Sequence, residues 1–82
     1  MGITEDLADE LARDVIKAMD ATGDEELMNE IAQVLGASSQ TAEEAFLTAI
    51  RVRRANTKAR GMLLEKLKKF KASQEATKKA DE

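Results

Sequence analysis

The residue inventory of this chain favours α-helix throughout. The 82 residues include no proline, and the four glycines stand apart from one another at positions 2, 23, 36 and 61. Alanine, leucine, glutamate, lysine, arginine and methionine, which are strong helix formers, are abundant. We therefore predict an all-α protein.

Apolar residues that recur at three- and four-residue spacing predict three amphipathic helices, at about residues 4–21, 24–35 and 39–71. Thr4, followed by two acidic residues, is the expected N-cap of the first helix, and Gly23 its expected left-handed end. Gly36 is expected to end the second helix, and Ser38, Ser39 and Thr41 are alternative N-caps of the third. The third helix should continue through Gly61, because residues 62–64 provide no new N-cap.

These helices predict a single helical domain over residues 1–71. We expect two short antiparallel helices to pack on the longer third helix as a small bundle. Residues 72–82 include no large apolar residue, and we expect them to form a frayed or disordered polar tail. Since a core this small is marginal for a monomer, a homodimer is the expected form.

The absence of cysteine and histidine argues against an enzyme. Without them there is no thiolate nucleophile, no imidazole base and neither of the commonest zinc ligands. We expect a non-enzymatic protein with no cofactor and no metal. Because no apolar run is long enough to span a bilayer and no signal-peptide pattern is present, we also expect no membrane association and a cytoplasmic location.

Charge is distributed unevenly along the chain, although the net charge is only −3. Residues 1–50 carry twelve acidic and two basic side chains, whereas residues 51–71 carry nine basic side chains and one acidic side chain. The basic helix can pair with the acidic faces of the first two helices, in the same chain or in a second copy. It can instead bind the phosphates of a nucleic acid, or be merely solvated. We favour the pairing.

The third helix also carries an incomplete heptad pattern. Residues 42, 49, 56, 63 and 70 are Ala, Ala, Asn, Leu and Phe, and residues 45, 52, 59 and 66 are Ala, Val, Ala and Lys. Small residues permit close helix approach, and a buried Asn56 can fix the register of a coiled coil. The predicted oligomer or partner interface comprises Phe46, Ala49, Ile50, Val52, Asn56, Leu63, Leu67 and Phe70.

Residues 29–42 combine the end of one helix, a tight corner and the start of the next. This segment resembles the helix-turn-helix of bacterial DNA-binding regulators at Ile31, Ala32, Gly36, Ala37, Ser38 and Thr41. The matching positions suit a close helix approach at Ala32, a positive-φ turn at Gly36 and a cap at Ser38. The resemblance implies nucleic-acid contacts from Gln40, Thr41, Arg51, Arg53, Arg54 and Lys58.

We predict a small regulatory or adaptor protein that acts through helix-mediated protein contacts and homo-oligomerisation. The alternative is a helix-turn-helix-like transcriptional regulator that binds DNA. Glu43 and Glu44 favour the first prediction, because they occupy the first turn of the would-be recognition helix and phosphates repel carboxylates.

Overall fold

The computed structural model describes residues 2–81, with side chains described as far as residue 75. It consists of three helices, α1 (Ile3–Thr22), α2 (Leu27–Ser38) and α3 (Gln40–Asp81). Helix α3 runs in the same direction as α1, because Glu5 and Thr41 line one groove while Ile16 and Thr57 line another further along. Helix α2 connects them and packs mainly on α3, which α1 also contacts directly. The predicted all-α bundle is confirmed.

The two ends of α1 are set by Gly2 and Gly23. The Gly2 N–H donates to a carboxylate oxygen of Glu5 at 2.9 Å, so Gly2 is the N-cap and the prediction of Thr4 was wrong. Gly23 adopts a left-handed φ of 75°, and its N–H donates to the Met19 carbonyl at 2.7 Å. Only glycine takes this conformation without strain, and the predicted end of the helix is confirmed.

Helix α2 begins at Leu27, a few residues later than predicted. The reason is the side chain of Asp24, whose Oδ1 accepts the Glu26 N–H at 3.1 Å. An aspartate that bonds the backbone two residues ahead stabilises a turn in place of the first helical turn.

The corner between α2 and α3 consists of a single extended residue, Ser39. Its N–H donates to the Leu35 carbonyl at 2.8 Å, and its hydroxyl oxygen accepts the Ala42 N–H at 3.1 Å. The predictions that Gly36 turns the chain and that Ser38 caps the next helix were therefore wrong. Gly36 lies inside α2 without a positive φ, and Ser39 is the cap.

Gly36 instead provides room for the side chain of Glu43. A Cβ atom at position 36 would lie 2.9 Å from the carboxyl carbon of Glu43, closer than such atoms approach in proteins. The carboxylate of Glu43 thus lies against α2. Gly36 therefore lies beneath the end of the Glu43 side chain and not at a turn.

Helix α3 is continuous through Gly61, as predicted. Its 42 residues account for most of the 67 Å length of the molecule. The helix extends to Asp81, past residue 71, where we predicted it to end. Residues 72–81 include strong helix formers and no breaker, and the lack of large apolar side chains does not oppose backbone helix formation. Glu82 lies outside the described residues.

A small core joins the three helices at one end of the molecule. Phe46 is the largest side chain that is fully buried among those described, and three of its six buried neighbours are alanines. Small side chains let helices approach closely, so one aromatic ring can fill the space between them. The core residues are Ala8, Ala12, Val15, Met19, Ala32, Phe46 and Ile50.

The two phenylalanines of α3 provide a matched test of this core. Phe46 is 0% exposed and Phe70 is 62% exposed. We expect Phe46→Ala to lower the free energy of unfolding by about 3–5 kcal/mol, because it removes a buried ring and leaves a cavity. Phe70→Ala should leave it nearly unchanged at low protein concentration. Urea titration followed by circular dichroism measures both, and equal losses would contradict the assigned core.

Candidate interaction surface

Helix α3 projects well beyond the three-helix bundle. Every residue from 55 to 75, which we call the distal half, is exposed to solvent. The radius of gyration is 19.2 Å, compared with about 12 Å for a compact domain of this length. The bundle therefore holds only the first part of α3, and the rest of the chain does not cover the distal half.

One side of this projecting helix is apolar. Its large side chains are mostly exposed, Val52 and Phe70 by 62% each and Leu63 by 57%. The spacing of three or four residues places them on one line along the helix. We call this line the apolar stripe, and it consists of Val52, Asn56, Ala59, Leu63, Leu67 and Phe70.

The apolar stripe runs into an open groove on the bundle, between α3 and α1. The volume of this groove is about 470 Å³. Its floor is small and apolar, whereas carboxylates from both helices stand at its edges, and we call it the acid-rimmed groove. The floor is formed by Ala45, Ala49 and Val52, and the edges by Glu5, Asp9, Thr41, Glu44 and Thr48.

The distal half is strongly basic away from the stripe. Residues 55–71 carry six basic side chains and one acidic side chain. At 100° per residue, Lys58, Lys68 and Lys69 lie well to the side of the stripe or opposite it, whereas Lys66 lies close to it. The projecting helix thus carries one apolar stripe, and its basic side chains are spread around the rest of its circumference.

At the edge of the bundle, two arginines of α3 form ion pairs with carboxylates from earlier in the chain. The guanidinium of Arg53 donates two hydrogen bonds to the carboxylate of Asp9, at 2.6 and 2.8 Å. Arg54 donates to Glu25 at 2.8 Å and contacts the sulfur of Met19. The predicted pairing of the basic helix with the acidic helices is confirmed within the chain for these two arginines.

The bidentate pair changes the acidity of its own carboxyl group. Hydrogen bonding to the guanidinium of Arg53 lowers the pKa of Asp9 below its ordinary value. The same bond raises the pKa of Arg53. The pair is open to solvent, so its main structural effect is to fix the register of α1 against α3.

This pair predicts a pH dependence of stability. Because the pKa of Asp9 is lower in the folded chain, its contribution is present above the pKa of the unfolded chain and is lost as pH falls through the folded value. The urea midpoints of the protein and its Asp9→Asn variant should therefore differ most near neutral pH and converge in strong acid. Arg53→Gln should reproduce the effect. A difference that is constant with pH would contradict the assigned pair.

The predicted interface residues divide into three groups. Phe46 and Ile50 belong to the intramolecular core, so their assignment to a partner interface was wrong. Ala49 lies on the floor of the acid-rimmed groove. The other five are exposed on the apolar stripe, and they are Val52, Asn56, Leu63, Leu67 and Phe70.

Several surface residues were missed from the sequence. Ala45 was missed although it occupies a heptad position beside the groove, and Met62 and Leu64 are exposed apolar side chains near the stripe. The heptad pattern was sufficient to find Ala45. Glu5 and Asp9 carry no local signal for the groove, because only the packing of α1 brings them to its edge.

The residues predicted to contact nucleic acid also fall into separate groups, some exposed and some held in ion pairs. Gln40, Arg51 and Lys58 are exposed, and their spacing puts them on one side of α3. Thr41 is exposed on the edge of the acid-rimmed groove. Arg53 and Arg54 are instead held by the carboxylates of Asp9 and Glu25.

Other kinds of site receive no support from the geometry. Among the side chains that are described, no group of three or more His, Cys, Asp or Glu residues is placed to hold a metal ion. No helix in the described part of the chain combines the length and apolarity needed to cross a membrane. Comparison with protein-family models, curated proteins and solved structures found no match. The functional argument therefore depends on the exposed surface of α3.

Proposed function

We propose that this is a non-enzymatic regulatory or adaptor protein that acts through protein contacts of α3 and forms a homodimer through its apolar stripe. The observation that carries the proposal is the line of exposed large apolar side chains on a helix that the bundle leaves uncovered. Continuous apolar surface of this kind on a small protein is typical of an interaction site. A cytoplasmic location, which we also propose, suits a chain without cysteine.

The accessible surface of the chain is large enough to include a partner interface of ordinary size. The chain exposes 6664 Å², about 1,800 Å² more than the surface expected for a compact monomer of 9.0 kDa. A standard stable interface buries about 800 Å² on each partner. The excess is therefore sufficient for a dimer interface along α3.

The energetics of the distal half favour a second helix against it. An unpacked helix of some twenty residues is marginal in water, and clustered like charges weaken it further. Covering Leu63, Leu67 and Phe70 would contribute about 1.5–3 kcal/mol for each side chain that becomes fully buried. Dimer formation would thus stabilise the helix that presents the interface.

The basic side chains away from the stripe remain exposed while the stripe is covered. Exposed charges contribute little affinity, but they orient partners and select among them. A dimer with acidic bundles and basic helix surfaces therefore suits a protein that brings other proteins together or alters their activity.

One observation favours the alternative, a helix-turn-helix-like regulator that binds DNA. Gln40, Arg51 and Lys58 share one side of α3 and are exposed to solvent. Against DNA binding, the carboxylate of Glu44 lies near this side, and Arg53 and Arg54 are already engaged with carboxylates. We therefore favour the protein-contact function.

Sedimentation equilibrium tests the proposed dimer directly. We expect the protein to sediment as a dimer and Leu63→Asp as a monomer, because the new carboxylate would be buried in the apolar stripe. Ala72→Asp is the control, since this exposed residue lies on the opposite side of the helix from Leu63. It should remain a dimer.

Two results would contradict the proposal. A monomeric wild-type protein at all practical concentrations would exclude homodimerisation. A complex with random duplex DNA that weakens steeply as salt is raised would instead support the DNA-binding alternative. Equal dissociation of the Leu63→Asp and Ala72→Asp variants would mean that the interface is not restricted to the stripe.

Hydrogen exchange gives an independent prediction. Amides of residues 60–75 should exchange rapidly at low protein concentration, because no packing of the distal half opposes local unfolding. They should become protected as concentration rises, whereas α1 changes little. Protection that does not depend on concentration would contradict the coupling of the helix to dimerisation.

A further inference from the structure

We propose that two copies pair their α3 helices antiparallel, so that Phe70 of each copy packs into the acid-rimmed groove of the other. This inference rests on the proposed homodimer and adds its geometry. It starts from the observation that the stripe and the groove lie on the same side of one helix, at opposite ends. A two-fold axis across the middle of α3 places the first part of α3 in one copy against the last part of α3 in the other.

The side-chain volumes fit this arrangement. With Asn56 of one copy opposite Ala59 of the other, the antiparallel register places Leu63 opposite Val52 and Phe70 opposite Ala45. Each large side chain on the distal half then faces a smaller one on the bundle half. Such alternation fills the space between two helices without voids or overlap.

The parallel arrangement fits less well. It would place each residue of the stripe opposite its own copy, so that Phe70 meets Phe70 and Lys66 meets Lys66. Alanines would also face alanines along the first half of the interface and leave it poorly filled. A pair of lysines in the seam costs free energy through repulsion, whereas the antiparallel register sets Lys66 against Ala49.

Charge favours the same orientation. Residues 1–50 carry a net charge of −10 and residues 51–71 a net charge of +8. Antiparallel pairing lays the basic distal half of each copy along the acidic bundle of the other, whereas parallel pairing sets like charges side by side. Lys69 of one copy then lies near Thr48 and Glu44 of the other, at the edge of the groove. Complementary charge of this kind selects between orientations.

Distance measurement between nitroxide labels distinguishes the two orientations. The chain contains no cysteine, so Lys69→Cys and Thr48→Cys each give a single labelling site on the flank of the seam. From the helical rise, the antiparallel dimer predicts about 35 Å between the two labels at position 69 and about 30 Å between those at position 48. A parallel in-register dimer predicts less than about 20 Å at both positions, since paired helices lie about 10 Å apart.

Pulsed dipolar spectroscopy on the full-length labelled protein gives these distances, with sedimentation of the same samples as the control. Long distances at both positions in a dimer support the antiparallel arrangement. Short distances at both positions would overturn it and leave the dimer standing. Samples that sediment as monomers and show no intermolecular distance would overturn the dimer itself.

Discussion

The burial of Phe46 is the packing event on which the rest of the structure depends. The ring is fully enclosed between the three helices, among three alanines and the larger side chains of Val15, Met19 and Ile50. Helices α1 and α2 have 20 and 12 residues, whereas α3 has 42. The exposure of the distal half thus follows from the lengths of the helices, because α3 continues beyond the part that α1 and α2 pack against.

Helix α3 consequently has two apolar lines, of which one is buried in the bundle and the other is exposed to solvent. Phe46 and Ile50 face the other helices, whereas the apolar stripe lies on another side of the same helix and remains in water. The ion pairs of Arg53 and Arg54 fix the rotation of α3 at the edge of the bundle, and this rotation determines which line is covered. The same contacts bring Glu5 and Asp9 beside the stripe and create the acid-rimmed groove.

Sequence periodicity was sufficient for the three helices, the left-handed end at Gly23 and the continuity of α3, because these features depend on local propensity. It could not separate Phe46 from Phe70, since both lie on apolar lines of one helix and only the extent of α1 and α2 along α3 decides which of them is covered. Gly36 was misread because a helix end and a close approach by Glu43 leave the same local signal. Likewise, Arg53 differs from Arg51 only through the position of Asp9, which is 44 residues away in the chain.

The separation of charge along the chain affects the stability of the distal half. A helix with six bases and one acid between residues 55 and 71 repels itself, and Glu65 alone offsets only part of this repulsion. The compensating carboxylates are on the bundle, but a rigid helix that points away from the bundle cannot return to them. A second copy in the reverse orientation can bring its carboxylates to that helix and at the same time cover the stripe. Apolar burial would then provide most of the affinity, and the separated charges would determine which of the two possible orientations forms.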